Sequence, residues 1–177
     1  MTVDDLFATI ADGAVSESRL WAESLRPADA REHEPVFSPL VPDPGLALGL
    51  ETIYEGYLLH HGRSRLFDPI DDDIALLLGD TLLAQGLVRI ADTGNIVAVA
   101  DLAALLSLCS QARAEGRDGD GAAWAATAAY LGKGGLDDAR RTLRDDRDPG
   151  PLLAAAAAVH GAPTVDSVIA AHRVRVR

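Results

Sequence analysis

The sequence predicts an all-α, single-domain helical bundle. Apolar residues recur at three- and four-residue spacing, strand-like alternation is almost absent, and residues that start and stop helices punctuate the chain. Its 177 residues fit one domain. A hydrophobic content of 48% with 24% charged residues is that of a chain with a core of its own.

Each element has its own signal. Thr2 can cap a first helix through about Ala11, ended by Gly13, and Ser16 can start a second through Leu25, closed by Pro27. Residues 27–45, PADAREHEPVFSPLVPDPG, are proline-rich and aperiodic and read as a long surface loop or arm. A helix from Leu46 to His61 follows, closed by Gly62. Asp68-Pro69 then pairs a capping side chain with a proline at the first helical position, so a helix is expected from there to about Ala91, stopping at Gly94. Asp71, Asp72 and Asp73 fall in its first turn, where carboxylates offset the positive helix end. The next helix, Asn95 to Glu115, places Val99, Leu102, Leu105, Leu106 and Cys109 on one side. Shorter helices are expected over 121–131 and 135–145, and two last ones in PLLAAAAAVHG and TVDSVIAAHRV; the tail RVRVR is too short for a strand.

Ile74, Leu76, Leu77, Leu78, Leu82, Leu83, Leu87, Val88 and Ile90 cover most of the circumference of one helix. Such a helix is central in its fold or shared with another subunit.

The stretch LETIYEGYLLHHGRSRL, residues 50–66, holds the candidates for chemistry. Glu51 and Glu55 lie one helical turn apart. Such a pair either forms a solvated acidic face or holds Mg²⁺ with substrate phosphates. His60 and His61 point about 100° apart, so one is expected inward and one outward, near a helix end that favours imidazolium. Asp80 sits inside LLLGDTLLAQGL; if buried it needs a partner, with Arg63, Arg65 or His61 available. Patterns of the HExxH, CxxC and P-loop kinds are missing, as is the Glu-x-x-His of di-iron bundles.

Residues 46 to about 131 resemble the middle of the trans-isoprenyl diphosphate synthase (polyprenyl synthetase) family. LLLGDTLLAQGLVRIA is similar to the family's GD-containing helix, and LAALLSLCSQARAEG to the helix after it. ETIYEGYLLHHG lies over the stretch that reads DDVIDGxxLRRG in an active enzyme. Glu51, Thr52 and Glu55 then stand on the Asp-rich motif, Gly56 on the following Gly, His60 and His61 on the arginine pair, and Gly62 on the turn Gly.

The resemblance implies central helices of the isoprenoid synthase fold over 46–131, with short helices over 132–177. It also implies a ligand site of Glu51, Glu55, His60, His61, Arg63 and Asp80, with Glu51 and Glu55 as the only candidate metal ligands. The departures imply lost catalysis. The first motif is reduced, the arginines are histidines, the Pro of the turn is absent, and no second DDxxD follows residue 110. Allylic ionisation needs several metal ions, so no catalytic residue and no required cofactor are assigned, Mg²⁺ being the one candidate. The expected role is a non-catalytic partner subunit or scaffold, homodimeric through the helices at 70–92 and 95–115. The alternative is a binder of an apolar or prenyl-diphosphate-like ligand in a residual cavity, with an active prenyltransferase a distant third.

A net charge of −11 argues against nucleic acid and anionic membranes as partners. The single cysteine, Cys109, forms no internal disulfide and reads as a buried hydrophobe. The N-terminus lacks the pattern of a signal peptide, and the apolar runs look too short to span a bilayer, so a cytoplasmic protein is expected.

Overall fold

The computed structural model describes residues 2–176. Among them are nine α-helices and no strands: α1 (Val3–Glu17), α2 (Arg19–Ser24), α3 (Pro44–His61), α4 (Asp72–Asp92), α5 (Ile96–Ala114), α6 (Asp120–Tyr130), α7 (Asp137–Asp146), α8 (Gly150–His160) and α9 (Ala162–Arg175). The protein is an all-α single helical domain.

The predicted helix ends hold where a side chain or a glycine fixes them. Thr2 caps α1 in a reciprocal pair with Asp5, Asn95 caps α5, and Gly62 closes α3. The misplaced ends have local causes. Gly13 does not end α1, which continues to Glu17; Ser18, not Ser16, caps α2. Asp68-Pro69 starts no helix, because the Asp68 amide donates to the Ser24 carbonyl and the chain there is extended. Asp71 is the cap of α4, accepting from the Ile74 amide.

The 27–45 segment is not a surface arm along its whole length. Val36, Phe37, Ser38, Leu40 and Val41 are all buried, and a 3-10 turn over Ser38–Leu40 seats them. Burying these side chains outweighs the lack of regular structure.

α3, not α4, is the central helix. Twelve of its eighteen residues are buried. One side faces a core built from α1, Trp21, Leu66, Phe67 and α4; the other contributes Leu50, Ile53, Tyr54, Tyr57 and Leu58 to a larger core with α5, α6, α8 and α9. α3 and α4 form the most extensive helix pair, and glycines bring their backbones together. A methyl group at Gly56 would stand 2.7 Å from the Gly79 carbonyl oxygen, and one at Gly86 would stand 2.9 Å from that of Gly49. Gly49 and Gly56, seven apart, face Gly86 and Gly79, seven apart. No room remains for a ligand tunnel between these helices along that seam.

α4 buries only Leu78, Gly79, Leu82, Gly86 and Ile90. Leu76, Leu77 and Val88 are each more than half exposed, while Ile74, Leu83 and Leu87 are partly buried against the two cores. On α5, Ile96 and Val97 are exposed in the same way. By length and hydropathy α4 and α5 are each apolar enough to cross a membrane. The sequence reading expected no such helix; the Ala-rich runs carry too few charges to interrupt the pattern.

Candidate functional site

Glu51 and Glu55 stand one turn apart on α3, as their spacing requires, and both side chains are wholly buried. They are neither a solvated acidic face nor an open pair of metal ligands, because the guanidinium of Arg65 lies between them. Arg65 Nε donates to Glu55 Oε2 at 2.8 Å and Nη1 to Glu51 Oε1 at 2.5 Å. Glu55 Oε1 accepts from the Ser64 hydroxyl and from the Arg65 and Leu66 amides, and Glu51 Oε2 accepts from the Ser38 amide. The guanidinium also lies over the rings of Phe7 and Tyr54, at 4.8 and 5.2 Å. Burial alone would lower the pKa of Arg65, but the two glutamates outweigh it and hold the guanidinium charged.

The chain after Gly62 delivers Arg65 to this position. Residues 63–68 are irregular, with a bend at Arg65 and Leu66, and are tied by the Arg26 amide to Leu66, the Glu32 amide to Arg65 and the Arg63 amide to Arg175. Sequence reading named Arg65 only as a partner for Asp80; nothing local marks it as the counter-ion of both glutamates.

The other predicted site residues separate. Arg63 pairs with Glu32 at 2.7 Å on the surface. Asp80, expected to need a buried partner, is 65% exposed and lies 3.3 Å from His60, not from Arg63, Arg65 or His61. His60 and His61 are both half-buried and face one open cavity of about 780 Å³ at the ends of α3, α4 and α5. The inward-outward split does not occur: the rings are 5.8 Å apart, and His61 also packs on Tyr57. Burial, then His60 and Arg113, lower the pKa of His61, which reverses the preference for imidazolium expected at the helix end. Two arginines, Arg113 and Arg117, and three aspartates, Asp72, Asp73 and Asp118, line the same cavity.

A second polar cluster escaped sequence reading. The Tyr57 hydroxyl donates to Asp120 Oδ2 at 2.7 Å, and Arg113 bonds both that carboxylate and the Tyr57 oxygen. His172 lies 3.2 Å from Asp120 through Nε2, and its Nδ1 is 3.0 Å from the Tyr54 hydroxyl. Tyr54 and Tyr57 sit on α3, Arg113 on α5, Asp120 on α6 and His172 on α9, so this cluster joins four helices. Separations of 63 and 118 residues leave no local pattern to find it by.

Burial pushes the Asp120 pKa up, but His172, Tyr57 and Arg113 outweigh it and hold the carboxyl well below the usual range. A depressed folded pKa stabilises the fold above the ordinary value of 3.8, and this contribution drains away as the pH falls through the folded value. Urea denaturation across a pH series should therefore show wild-type stability falling below about pH 4. Asp120→Asn should flatten that slope and be less stable than wild type at neutral pH. An unchanged slope would remove Asp120 from the account.

Among the described residues no group of three or more His, Cys, Asp or Glu side chains is placed to hold a metal ion. Set against models of known protein families, curated proteins and solved structures, the chain matches none.

Proposed function

We propose that the protein is a non-catalytic helical subunit that pairs with a second copy of itself through α4 and α5. The observation that carries this reading is where its exposed apolar side chains lie. Of the ten exposed large hydrophobic residues among those described, Ile70, Leu76, Leu77, Val88, Ile96 and Val97 fall within one short stretch of chain on and beside these two helices. Exposed patches of this kind mark interaction sites. Laying α4 and the start of α5 against a second copy would cover them on both chains at once.

The seating of Arg65 supports the non-catalytic half. Where a prenyl synthase would place metal-binding carboxylates, these two already have a guanidinium. The close glycine seam between α3 and α4 argues the same way, against a prenyl-chain tunnel there.

Sedimentation velocity at micromolar concentration should give twice the 18.6 kDa chain mass. Leu77→Glu/Val88→Glu should give a monomer of unchanged helicity. A monomeric wild type would overturn the pairing, and flotation with lipid vesicles would assign the face to a bilayer instead.

A second reading has the open cavity beside His60 and His61 in its favour. Aspartates outnumber arginines on its walls and His61 is held neutral, so a prenyl diphosphate with Mg²⁺ is expected to give no heat in calorimetry. Measurable binding there would restore the ligand-binder reading.

A further inference from the structure

A different cavity, of about 390 Å³, opens between the start of α6, the end of α5 and the last turns of α9. Its charge is the reverse of its neighbour's. Arg113, Arg117 and Arg173 line it against Asp118 and Asp120, in a protein whose net charge is −11. Asp120 is already engaged by Arg113 and Tyr57. Arg173 is exposed and makes no ion pair among the described residues.

The first residues of α6, from Asp120 to Ala122, also line the cavity, and no side chain of the preceding residue caps this helix. An 11-residue helix starts there, its Gly121 amide bonded to Asp120 Oδ1 and its dipole directed at the cavity. A separate sign is His172. It is only 1% exposed, lines the cavity, and its Nε2 makes no hydrogen bond. Asp120 Oδ2, 3.2 Å away, is its ion-pair partner but is not aligned with it for a hydrogen bond. A buried ring nitrogen in this state is costly unless a further group reaches it. Arg117 Nε is likewise buried without a partner, while the same guanidinium pairs with Glu115 through Nη2 and donates to the Arg144 carbonyl through Nη1. The remaining walls are apolar, from Leu153, Ile169 and Val176.

We propose that this cavity binds a small phosphomonoester with an apolar body. Its phosphate would lie among Arg113, Arg117, Arg173 and the α6 amides, and its apolar part against Leu153 and Ile169. Three guanidinium-bearing walls favour a dianionic, three-oxygen head over a carboxylate. The site uses neither Leu77 nor Val88, so it stands or falls separately from self-pairing.

Hexyl phosphate is the probe, added to the full-length protein with its five histidines labelled for NMR and with affinity measured by calorimetry. It should move the ring signals of His172 and leave those of His33 and His160 in place. Inorganic phosphate and hexanoate should each bind at least about tenfold more weakly. Arg173→Glu, which removes no hydrogen bond or ion pair among the described residues, should weaken hexyl phosphate by about tenfold or more, and Arg173→Gln by less. Unmoved His172 signals at millimolar probe would overturn the proposal. So would movement of His60 and His61 in place of His172, equal affinity in Arg173→Glu, or hexanoate or inorganic phosphate matching hexyl phosphate.

Discussion

Replacing Arg65 with Met should cost more stability than any other single change in this protein. The substitution leaves Glu51 and Glu55 buried one turn apart with no counter-charge, while filling much the same volume. Removing one partner of a buried pair costs about 3–5 kcal/mol, against a total of about 5–15 kcal/mol for an ordinary domain. Arg65→Met is therefore expected to melt about 6–20 °C early. The triple variant Glu51→Gln/Glu55→Gln/Arg65→Met should recover much of the loss, because no unpaired charge remains. Thermal melts of wild type, Arg65→Met, Glu51→Gln/Glu55→Gln and the triple variant form the cycle that measures it. If Arg65→Met melts like wild type, the guanidinium is not the counter-ion described above.

Gly56→Ala should be the next most damaging change, and by a different route. Its methyl group would meet the Gly79 carbonyl, which is backbone and cannot turn aside. The α3–α4 seam must then open along its length, at a cost of about 1–3 kcal/mol or more. Gly13→Ala is the matched control. There the new methyl meets the Arg89 guanidinium, the end of a flexible side chain, and alanine gains about 0.5–1 kcal/mol in helix propensity. Gly13→Ala is expected to be neutral or stabilising in the same denaturation series. A similar loss for both glycines would mean that the seam is looser than it looks.

Helix content was readable because its causes are local. Thr2, Asn95 and Gly62 act within one turn, and the sequence shows them directly. Asp68-Pro69 misled for a related reason. The motif suits a helix start, but the chain there is held extended by a bond to Ser24, which lies 44 residues back and leaves no local mark. The central position of α3 was hidden by its own polar residues. Glu51, Thr52 and Glu55 make the helix look half-solvated; Thr52 is satisfied by the Leu48 carbonyl, and the return of Arg65 lets the two glutamates be buried. α4, apolar around most of its circumference, looked central and is half open. Leu77 and Val88 lie on its open side. Of the predicted site residues, the glutamates lie together in the core and the histidines at a separate cavity. The Asp120 and His172 cluster depends on contacts that only the folded chain creates.

The Arg65 cluster also sets the order in which the protein can come apart. Its hydrogen bonds gather Glu34 and Ser38 from the segment before α3, Glu51 and Glu55 from α3, and Ser64 to Leu66 from the chain after it. A charge cannot be wetted gradually while it is enclosed on all these sides, so the segments around it release together or not at all. The amides of Arg65 and Leu66, held by a buried carboxylate, belong with the slowest-opening part of the molecule. The irregular chain at 34–38 and 63–67, which elsewhere would fray first, is here bound into the same cooperative unit as the central helix.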